Sequence, residues 1–243
     1  MNENHMSLEK LNQIISRSWD ANVRVRAEDL EKGTDYSYTN IILPWVLDRV
    51  LHHTTHESRI LDIGCGCGYL TYAVYDCGRR NIKGIDLSAA SIAYAQEKYP
   101  AIRFVCQDIC SFSADRQYDL CLAVMTLNNI PVAEDFFASA QQLLRPGGRA
   151  VIVIPHPSFW PVKHLKQVEY HYLRERPYEI TFSTKGRTDY ASNILYFHRP
   201  LETYLQEIKE AGFYLTAFRE LAETSNDSDP DIIGLEIAKP EVP

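Results

Sequence analysis

The 243-residue sequence predicts a single three-layer α/β/α domain built on a mostly parallel sheet. Three observations predict this fold class. Short β-branched runs alternate with longer helical patterns, which is typical of βαβ units. Three glycines follow the first predicted strand, where the chain must turn sharply into a helix. The residues are 45% hydrophobic and 23% charged, the composition of one soluble globular domain.

The elements follow in order along the chain. Apolar residues between 41 and 53 recur on one helical face and predict an amphipathic helix that leads into the sheet. The first five strands are predicted at residues 59–63, 82–86, 102–106, 118–124 and 149–154. The helices between them are predicted at 69–77, closed by Gly78, at 89–99, with Ser88 as N-cap, and at 133–144, ended by Pro146-Gly147-Gly148.

The pattern changes after the fifth strand. Residues 156–198 show no clean α/β alternation, and nine of these 43 residues are Phe, Trp or Tyr. Small-molecule pockets need aromatic walls with a few polar groups, so we predict an aromatic-rich lid here. The alternatives are a cluster that packs the insertion onto the sheet, or an oligomer interface. A helix at 201–211 and strands at 213–218 and 232–238, joined by an acidic loop at 223–231, complete a seven-stranded sheet.

Charge and cysteine usage exclude several classes of protein. The net charge is −7 and the basic residues are scattered, which argues against a nucleic-acid partner. No apolar stretch approaches the ~20 residues that span a bilayer, and the N-terminus lacks the pattern of a signal peptide. The six cysteines show no paired metal-binding spacing. We therefore expect a cytoplasmic protein with reduced thiols, no membrane association and no metal; the sequence does not predict its oligomeric state.

The most informative segment is residues 60–70, ILDIGCGCGYL. Ligands of open α/β sheets bind at the carboxyl ends of strands, where glycines 64, 66 and 68 fall. A dinucleotide-binding loop would read G-x-G-x-x-G, but neither position 69 nor position 71 is glycine. The segment instead reads D-x-G-x-G-x-G, and Asp62 suits the ammonium of an amino acid better than a phosphate.

Two further acids stand at predicted strand ends. Asp86 ends the second strand, where a carboxylate can accept hydrogen bonds from both hydroxyls of a ribose. Asp108 lies just past the third strand, where it can accept from an adenine amine. An acid at one strand end is often only a turn or cap residue. Three such acids together with the glycine loop indicate a nucleoside-binding site.

These motifs resemble those of class I methyltransferases, whose Rossmann-like, seven-stranded sheet binds S-adenosylmethionine. The resemblance covers about residues 41–154 and extends more loosely to the C-terminus. Residues 61–68 resemble the family's glycine motif, 85–88 its ribose motif, 107–109 its adenine motif, 118–129 its fourth-strand motif, and 143–148 its turn before the fifth strand.

The resemblance implies an S-adenosylmethionine-dependent methyltransferase that acts on a small molecule and releases S-adenosylhomocysteine. The implied cofactor-binding residues are Asp62, Gly64, Cys65, Gly66, Gly68, Asp86, Leu87, Asp108, Ile109 and Met125. An RNA or protein methyltransferase and a non-catalytic S-adenosylmethionine-binding module are the alternatives. We expect one domain over 1–243, comprising N-terminal helices or a cap at 1–56, the cofactor-binding core at 57–155, the lid at 156–198 and the C-terminal helix and last two strands at 199–243.

The acceptor side is expected to come from the N-terminus and the lid. His156 leaves the fifth strand at the cofactor edge, and an imidazole titrates near neutral pH, so it is our candidate general base, with simple packing as the alternative. Where many family members carry histidine, this chain has Asn128 and Asn129, which cannot act as bases. The candidate substrate-binding residues are Asn128, Tyr170, His171, Tyr172 and Tyr178. Trp19, Tyr36 and Tyr38 can fold over the cofactor from the N-terminal side, or simply pack there.

Overall fold

The computed structural model describes residues 6–165, 169–184, 186–222 and 229–241. The strands in these ranges are β1 Ile60–Ile63, β2 Ile82–Asp86, β3 Arg103–Cys106, β4 Tyr118–Val124, β5 Leu144–Pro155, β6 Arg176–Thr181, β7 Asn193–His198, β8 Tyr214–Leu221 and β9 Ile232–Ala238. The α-helices are α1 Leu8–Glu31, α2 Leu43–His53, α3 Tyr69–Asp76, α4 Ala89–Lys98, α5 Ala133–Leu143, α6 Trp160–His164 and α7 Leu201–Glu210. None of the described helices is long and apolar enough to cross a membrane.

Seven of the strands form one sheet in the order β3-β2-β1-β4-β5-β9-β8. The pairs among β1 to β5 are parallel, and β9 runs antiparallel to both β5 and β8. This confirms the mostly parallel, seven-stranded sheet that the sequence predicts. The chain leaves β1 toward one edge and returns to β4 on the other side of β1. That reversal opens a crevice at the carboxyl ends of the strands, where such sheets bind ligands.

Helices cover both faces of the sheet, because successive side chains of a buried strand point to opposite sides. Leu61 packs on one face with Phe136 and Phe137 of α5. Ile60, its neighbour, packs on the other face with Val46 of α2 and Val74 of α3. Burial of an aliphatic or aromatic side chain of this size contributes roughly 1.5–3 kcal/mol. The two faces together form the three-layer arrangement.

The fifth strand differs from its prediction at its start. It begins at Leu144, not at 149, and the predicted Pro146-Gly147-Gly148 turn lies inside it. Tyr118 pairs with Leu144, and Leu120 pairs with Arg149. Between these two pairs β5 therefore has more residues than β4. The positive φ of Gly147, +74°, allows the chain to bulge there.

The segment at 156–198 is more regular than its sequence pattern indicates. It contains the short helix α6 and an antiparallel hairpin of β6 and β7. The hairpin was missed because eleven residues separate its two strands, a loop without the usual short-turn signal. The acidic loop predicted at 223–231 lies at 223–228 outside the described residues.

The N-terminal helix α1 spans 24 residues and joins two distant parts of the fold. Asp20 Oδ1 accepts hydrogen bonds from Ser88 Oγ (2.6 Å) and from the Ala90 amide (2.9 Å) at the start of α4. Further along α1, Asn22 exchanges two hydrogen bonds with the backbone of Ser192, just before β7. The helix therefore lies across the carboxyl edge of the sheet and holds the hairpin beside it.

Candidate functional site

A cavity of about 420 Å³ lies at the carboxyl ends of β1 to β4. Its floor is formed by the residues that follow these strands, and its roof by α1, the segment at 35–42, α6 and the β6–β7 hairpin. The predicted site residues that line it are Gly64, Cys65, Gly66, Asp86, Leu87, Asp108, Ile109, Met125 and Asn128. Those that do not are Asp62, Gly68, His156, Tyr170, His171, Tyr172 and Tyr178.

The glycine loop brings backbone to the floor of the cavity. Gly64 has φ +69°, and a Cβ there would lie 2.3 Å from the Thr126 side chain. Gly66 has φ +53°, and a Cβ there would meet nothing within 4 Å, so open space begins at its backbone. Both positions need glycine for their conformation, and Gly66 also allows a ligand to lie against the main chain.

Gly68 has a different role from the one predicted. Its φ is +81°, and a Cβ there would lie 2.9 Å from the Phe104 ring and 3.0 Å from Ala95. The glycine therefore lets the start of α3 pack closely against α4 and β3, away from the cavity. The prediction of Gly68 as a cofactor-contacting residue is corrected to a packing role.

Asp86 supports the loop and faces the cavity at the same time. Its Oδ2 accepts from the Gly66 amide and its Oδ1 from the Ser88 amide, both at 2.8 Å. Burial raises the pKa of Asp86, and the two amides oppose that rise. A carboxylate offers about four acceptor positions, so each oxygen retains one for a ligand hydroxyl.

Asp62 lies beneath the glycine loop and is 1% exposed. Its Oδ2 accepts from Thr71 Oγ1 at 2.6 Å. Burial, opposed by the hydrogen bond from Thr71 and supported by the negative charge of Asp86, raises the pKa of Asp62 to about 7. The structure does not bring this carboxyl to the cavity wall, so the expected direct contact with an ammonium group is corrected to a position under the loop.

Asp108 lies at the far end of the floor and contacts the N-terminal helix. Its Oδ2 accepts from Asn12 Nδ2 at 2.7 Å, and its Oδ1 accepts from the Cys110 amide at 3.0 Å. Asn12 lines the cavity as well. Sequence reasoning missed Asn12, because no local motif connects it with a residue 96 positions later.

Met125 follows β4 in a strained conformation. Its φ of +55° is the only positive φ of a non-glycine residue in the described ranges. Such strain costs of order 1–3 kcal/mol and is concentrated at functional sites. The amide of Met125 donates to Val153 O at 2.8 Å, which holds the residue at the edge of β5.

Asn128 and Asn129 form the part of the wall that follows Met125. Asn128 Nδ2 donates to Asn129 Oδ1 (3.3 Å), and Asn129 Nδ2 donates to the Leu195 carbonyl of β7 (2.6 Å). Asn128 is 6% exposed, and its Oδ1 is buried with no hydrogen-bond partner among the described residues. A buried acceptor left unpaired costs about 1–3 kcal/mol.

His156 does not reach the cavity. The preceding Pro155 lines it, and successive side chains of an extended strand point to opposite sides. His156 Nδ1 accepts from the Ser158 amide at 3.1 Å, which leaves the proton on Nε2, 3.2 Å from Glu220 Oε1 in β8. Both ring nitrogens are thus engaged away from the site, and the prediction of His156 as general base is corrected to an anchoring role between β5 and β8.

Four predicted substrate residues of the lid lie outside the cavity: Tyr170, His171, Tyr172 and Tyr178. Tyr170 Oη donates to the Pro157 carbonyl at 2.9 Å, and Tyr172 Oη accepts from the Leu201 amide at 3.0 Å. His171 is exposed. These contacts hold the segment at 156–198 onto the end of β5 and the start of α7, so the assignment of the four residues to substrate binding is corrected.

The hairpin lines the cavity with a different set of side chains. Ile180 pairs with Ile194 across the two strands, so both lie on one face, together with Tyr196 and Phe182 at alternate positions. Trp160 of α6 packs against Tyr196 with ring centroids 4.8 Å apart. The period-two alternation at 178–182 was the sequence signal that could have identified this face.

The N-terminal region closes the cavity from the other side. Trp19 and Tyr38 line it, as expected, whereas Tyr36 is half exposed and does not. Arg26 is the only lysine or arginine among the described lining residues. Its Nη1 lies 2.7 Å from Asp35 Oδ2, and although burial lowers the pKa of Arg26, Asp35 holds it above the usual value.

Comparison with known proteins shows similarity to methyltransferases. Residues 60–148 match the family described as a methyltransferase domain. The chain is 30% identical over 161 residues to trans-aconitate 2-methyltransferase of Shigella dysenteriae, covering 66% of this chain. It is 23% identical over 199 residues to demethylmenaquinone methyltransferase of Tropheryma whipplei, covering 77% of this chain. The chain spans 58% of the length of the first relative and 82% of the second.

A solved structure matches nearly the whole chain. The 1,6-didemethyltoxoflavin-N1-methyltransferase of Burkholderia thailandensis superposes with a TM-score of 0.67 at 15% identity. The superposition covers 99% of this chain and 93% of that enzyme. At this identity the likeness shows the fold alone.

Proposed function

From the premise that this chain belongs to the class I S-adenosylmethionine-dependent methyltransferases, we propose that it methylates a small molecule bound beneath the hairpin. One observation carries this proposal. The glycine loop and Asp86 open into the same cavity as the aromatic face of the hairpin and Asn128. A nucleoside-binding floor and a separate apolar wall in one cavity fit two ligands side by side.

The floor residues fit S-adenosylmethionine. Asp86 has free acceptor positions for the two ribose hydroxyls, and the open space at Gly66 admits a ligand against the backbone. Asp108 stands where it can accept from an adenine amine, with Leu87 and Ile109 as apolar neighbours. When bound, S-adenosylmethionine supplies a methyl group already activated on a sulfonium.

The remaining task of the protein is to orient the acceptor and exclude water. Trp160 and Tyr196 on the lid side and Trp19 on the α1 side provide flat apolar walls for this. Asn128 and Asn129 cannot take up a proton at neutral pH and His156 faces away, so we assign none of these three residues as a general base. The volume of about 420 Å³ suits small ligands better than an RNA or protein segment.

The most direct test is an extract screen. The protein is incubated with a metabolite extract and with S-adenosylmethionine, in parallel with an unlabelled and an isotopically labelled methyl group. Mass spectrometry searches for a compound that gains about 14 daltons, the mass of an added CH₂, with the unlabelled cofactor and correspondingly more with the labelled one. The expected result is one or a few labelled small molecules, and calorimetry should show binding of S-adenosylhomocysteine. Binding of the cofactor product without any labelled metabolite would support the non-catalytic binding module, and labelling confined to RNA or protein would support the macromolecular alternative. We also propose that the enzyme works in the cytoplasm, which agrees with its six unpaired cysteines.

A further inference from the structure

We infer that the acceptor is a planar, uncharged nitrogen heterocycle whose N–H donates to Asn128 Oδ1, between the aromatic face of the hairpin and an acidic wall that rejects carboxylates. This inference rests on the proposed function, because the acceptor must share the cavity with S-adenosylmethionine. Three features carry it: the orientation of one amide, the shape of the apolar wall, and the charge of the lining.

The orientation of the Asn128 amide is set by its neighbours. The Leu195 carbonyl can only accept, so the group 2.6 Å from it must be the NH₂ of Asn129. Asn129 therefore directs its side-chain carbonyl oxygen toward Asn128. The NH₂ of Asn128 must donate to this oxygen, at 3.3 Å. A flipped Asn128 would bring two carbonyl oxygens together. These two hydrogen bonds leave Asn128 Oδ1 as an acceptor without a partner among the described residues. Only a hydrogen-bond donor can pair with it.

The shape of the opposite wall favours a flat ring. Trp160 and Tyr196 pack together on the lid side, and Ile180 and Ile194 extend the same apolar surface. Trp19 packs edge-on against Phe182 with ring centroids 5.4 Å apart, so the N-terminal helix extends this apolar surface. Aromatic side chains stack favourably on other rings and bury them at little cost in conformational entropy. A heterocycle with an N–H on its edge can use the wall and the Asn128 oxygen at once.

The charge of the lining argues against an acidic acceptor. Among the described residues five aspartates line the cavity, Asp35, Asp86, Asp108, Asp135 and Asp231, of which Asp231 is paired with Lys163 at 2.6 Å. Arg26, the only arginine or lysine of the described lining, is already paired with Asp35 at 2.7 Å and lies 3.6 Å from Asp29. A carboxylate buried here would have no unpaired arginine or lysine to meet it, which is costly. A cationic acceptor would in turn share the cavity with the positive sulfonium, so an uncharged ring fits best.

The test uses ligand probes on the protein saturated with S-adenosylhomocysteine. Benzimidazole is planar, uncharged near neutral pH and has an N–H; 1-methylbenzimidazole lacks that N–H; trans-aconitate is a planar tricarboxylate. Binding is followed by tryptophan fluorescence and calorimetry. We expect wild-type protein to bind benzimidazole about tenfold more tightly than its 1-methyl analogue, which corresponds to about 1.4 kcal/mol. No binding of trans-aconitate is expected.

Two variants separate the role of Asn128 from general damage to the site. Asn128→Leu should bind the two benzimidazoles equally, because it has no acceptor oxygen. Asn40→Leu, at an exposed asparagine outside the cavity lining, is the matched control and should behave as wild type.

The outcomes distinguish this inference from the proposed function. If S-adenosylhomocysteine does not bind at all, the proposed function fails first. If it binds but wild-type protein shows no preference for the N–H, or prefers trans-aconitate, the inference on the acceptor is overturned and the methyltransferase proposal stands. A preference that persists in Asn128→Leu would also overturn the role of Asn128. The wild-type comparison decides the matter even if a variant does not fold.

Discussion

At the scale of single residues, Asp86 both supports the glycine loop and lines the cavity, and a substitution can test its role in ligand binding. It accepts the Gly66 and Ser88 amides and still offers acceptor positions to the cavity. We predict that Asp86→Ala weakens S-adenosylhomocysteine binding by about 1.5–3 kcal/mol, the usual contribution of hydrogen bonds to a charged group. Calorimetry measures the change, with the exposed Asp76→Ala as the matched control. An unaltered dissociation constant would mean that other residues hold the ribose.

The raised pKa of Asp62 predicts how the free energy of unfolding depends on pH. Burial raises its pKa to about 7 in the folded chain, from 3.8 for an ordinary aspartate. Between these values the unfolded state binds fewer protons than the folded state, so the contribution of Asp62 to the free energy of unfolding falls as pH rises. The full effect is at most about 4 kcal/mol, since one pKa unit corresponds to about 1.36 kcal/mol.

The corresponding measurement compares Asp62→Asn with wild type in the absence of cofactor. Between about pH 5 and about pH 8, the melting temperature of the variant should rise relative to that of wild type, because the variant has no buried carboxyl to ionise. The exposed Asp76→Asn serves as control and should show no such trend. A difference that stays constant with pH would show that the Asp62 carboxyl ionises normally.

His156 is predicted to affect stability and not turnover. The residue is 3% exposed, and its ring joins Glu220 of β8 to the Ser158 amide and packs on the Phe159 ring with centroids 4.5 Å apart. His156→Asn should lower the free energy of unfolding by about 1–3 kcal/mol through the lost contacts. Turnover of whichever acceptor the extract screen identifies should stay near wild type. A loss of about 10²–10⁴-fold in turnover, the range of a general base, would restore His156 to the mechanism.

At the scale of elements, α1 and the β6–β7 hairpin together cover the cavity, and we refer to these two elements as the cover. Asp29 of α1 is fully buried and accepts from Tyr190 Oη at 2.6 Å and Thr184 Oγ1 at 3.0 Å. Asn22 exchanges hydrogen bonds of 2.9 and 3.0 Å with Ser192. All three partners lie in the loop between β6 and β7. The hairpin is thus attached to a helix at the other end of the sequence.

These contacts predict the effect of loosening the cover. Asn22→Ala should raise amide hydrogen exchange across 176–198 while the central sheet exchanges as in wild type, because local opening tracks the contacts of the segment. Addition of S-adenosylhomocysteine should slow exchange in 176–198 of the wild-type protein. Arg24→Ala, at an exposed position of the same helix, is the control. Equal exchange in Asn22→Ala and wild type, with or without ligand, would favour simple packing of the insertion.

At the scale of the whole molecule, ligand binding should stabilise the fold selectively. A ligand at about 100 times its dissociation constant adds about 2.7 kcal/mol to the free energy of unfolding. For a domain of this size that corresponds to a rise of roughly 5–10 °C in melting temperature. We predict this rise with S-adenosylhomocysteine and none with NAD at the same concentration, because the glycine loop does not fit the dinucleotide pattern. An equal rise with NAD would contradict the assignment of the floor.

Local features of the sequence determined the sheet and the floor of the cavity. Strands β2 and β4 have the predicted bounds, Ser88 caps α4, and Gly78 and Gly212 follow their helices with positive φ. These features depend on periodicity, capping and turn chemistry, which act over a few neighbouring residues. The same is true of Gly66 and Asp86, which the order of parallel strands brings to one edge.

Tertiary structure alone decided which side chains face the cavity and what covers it. His156 points away from it toward Glu220 of β8, and Gly68 serves packing because Phe104 and Ala95 approach it from elsewhere in the chain. The cover depends on the contact between Asn22 and Ser192, which are 170 positions apart. Such contacts follow from the closure of long chain segments and from the alternation of strand faces. Neither has a signature within a short window of sequence, so the walls around the acceptor could be known only from the folded chain.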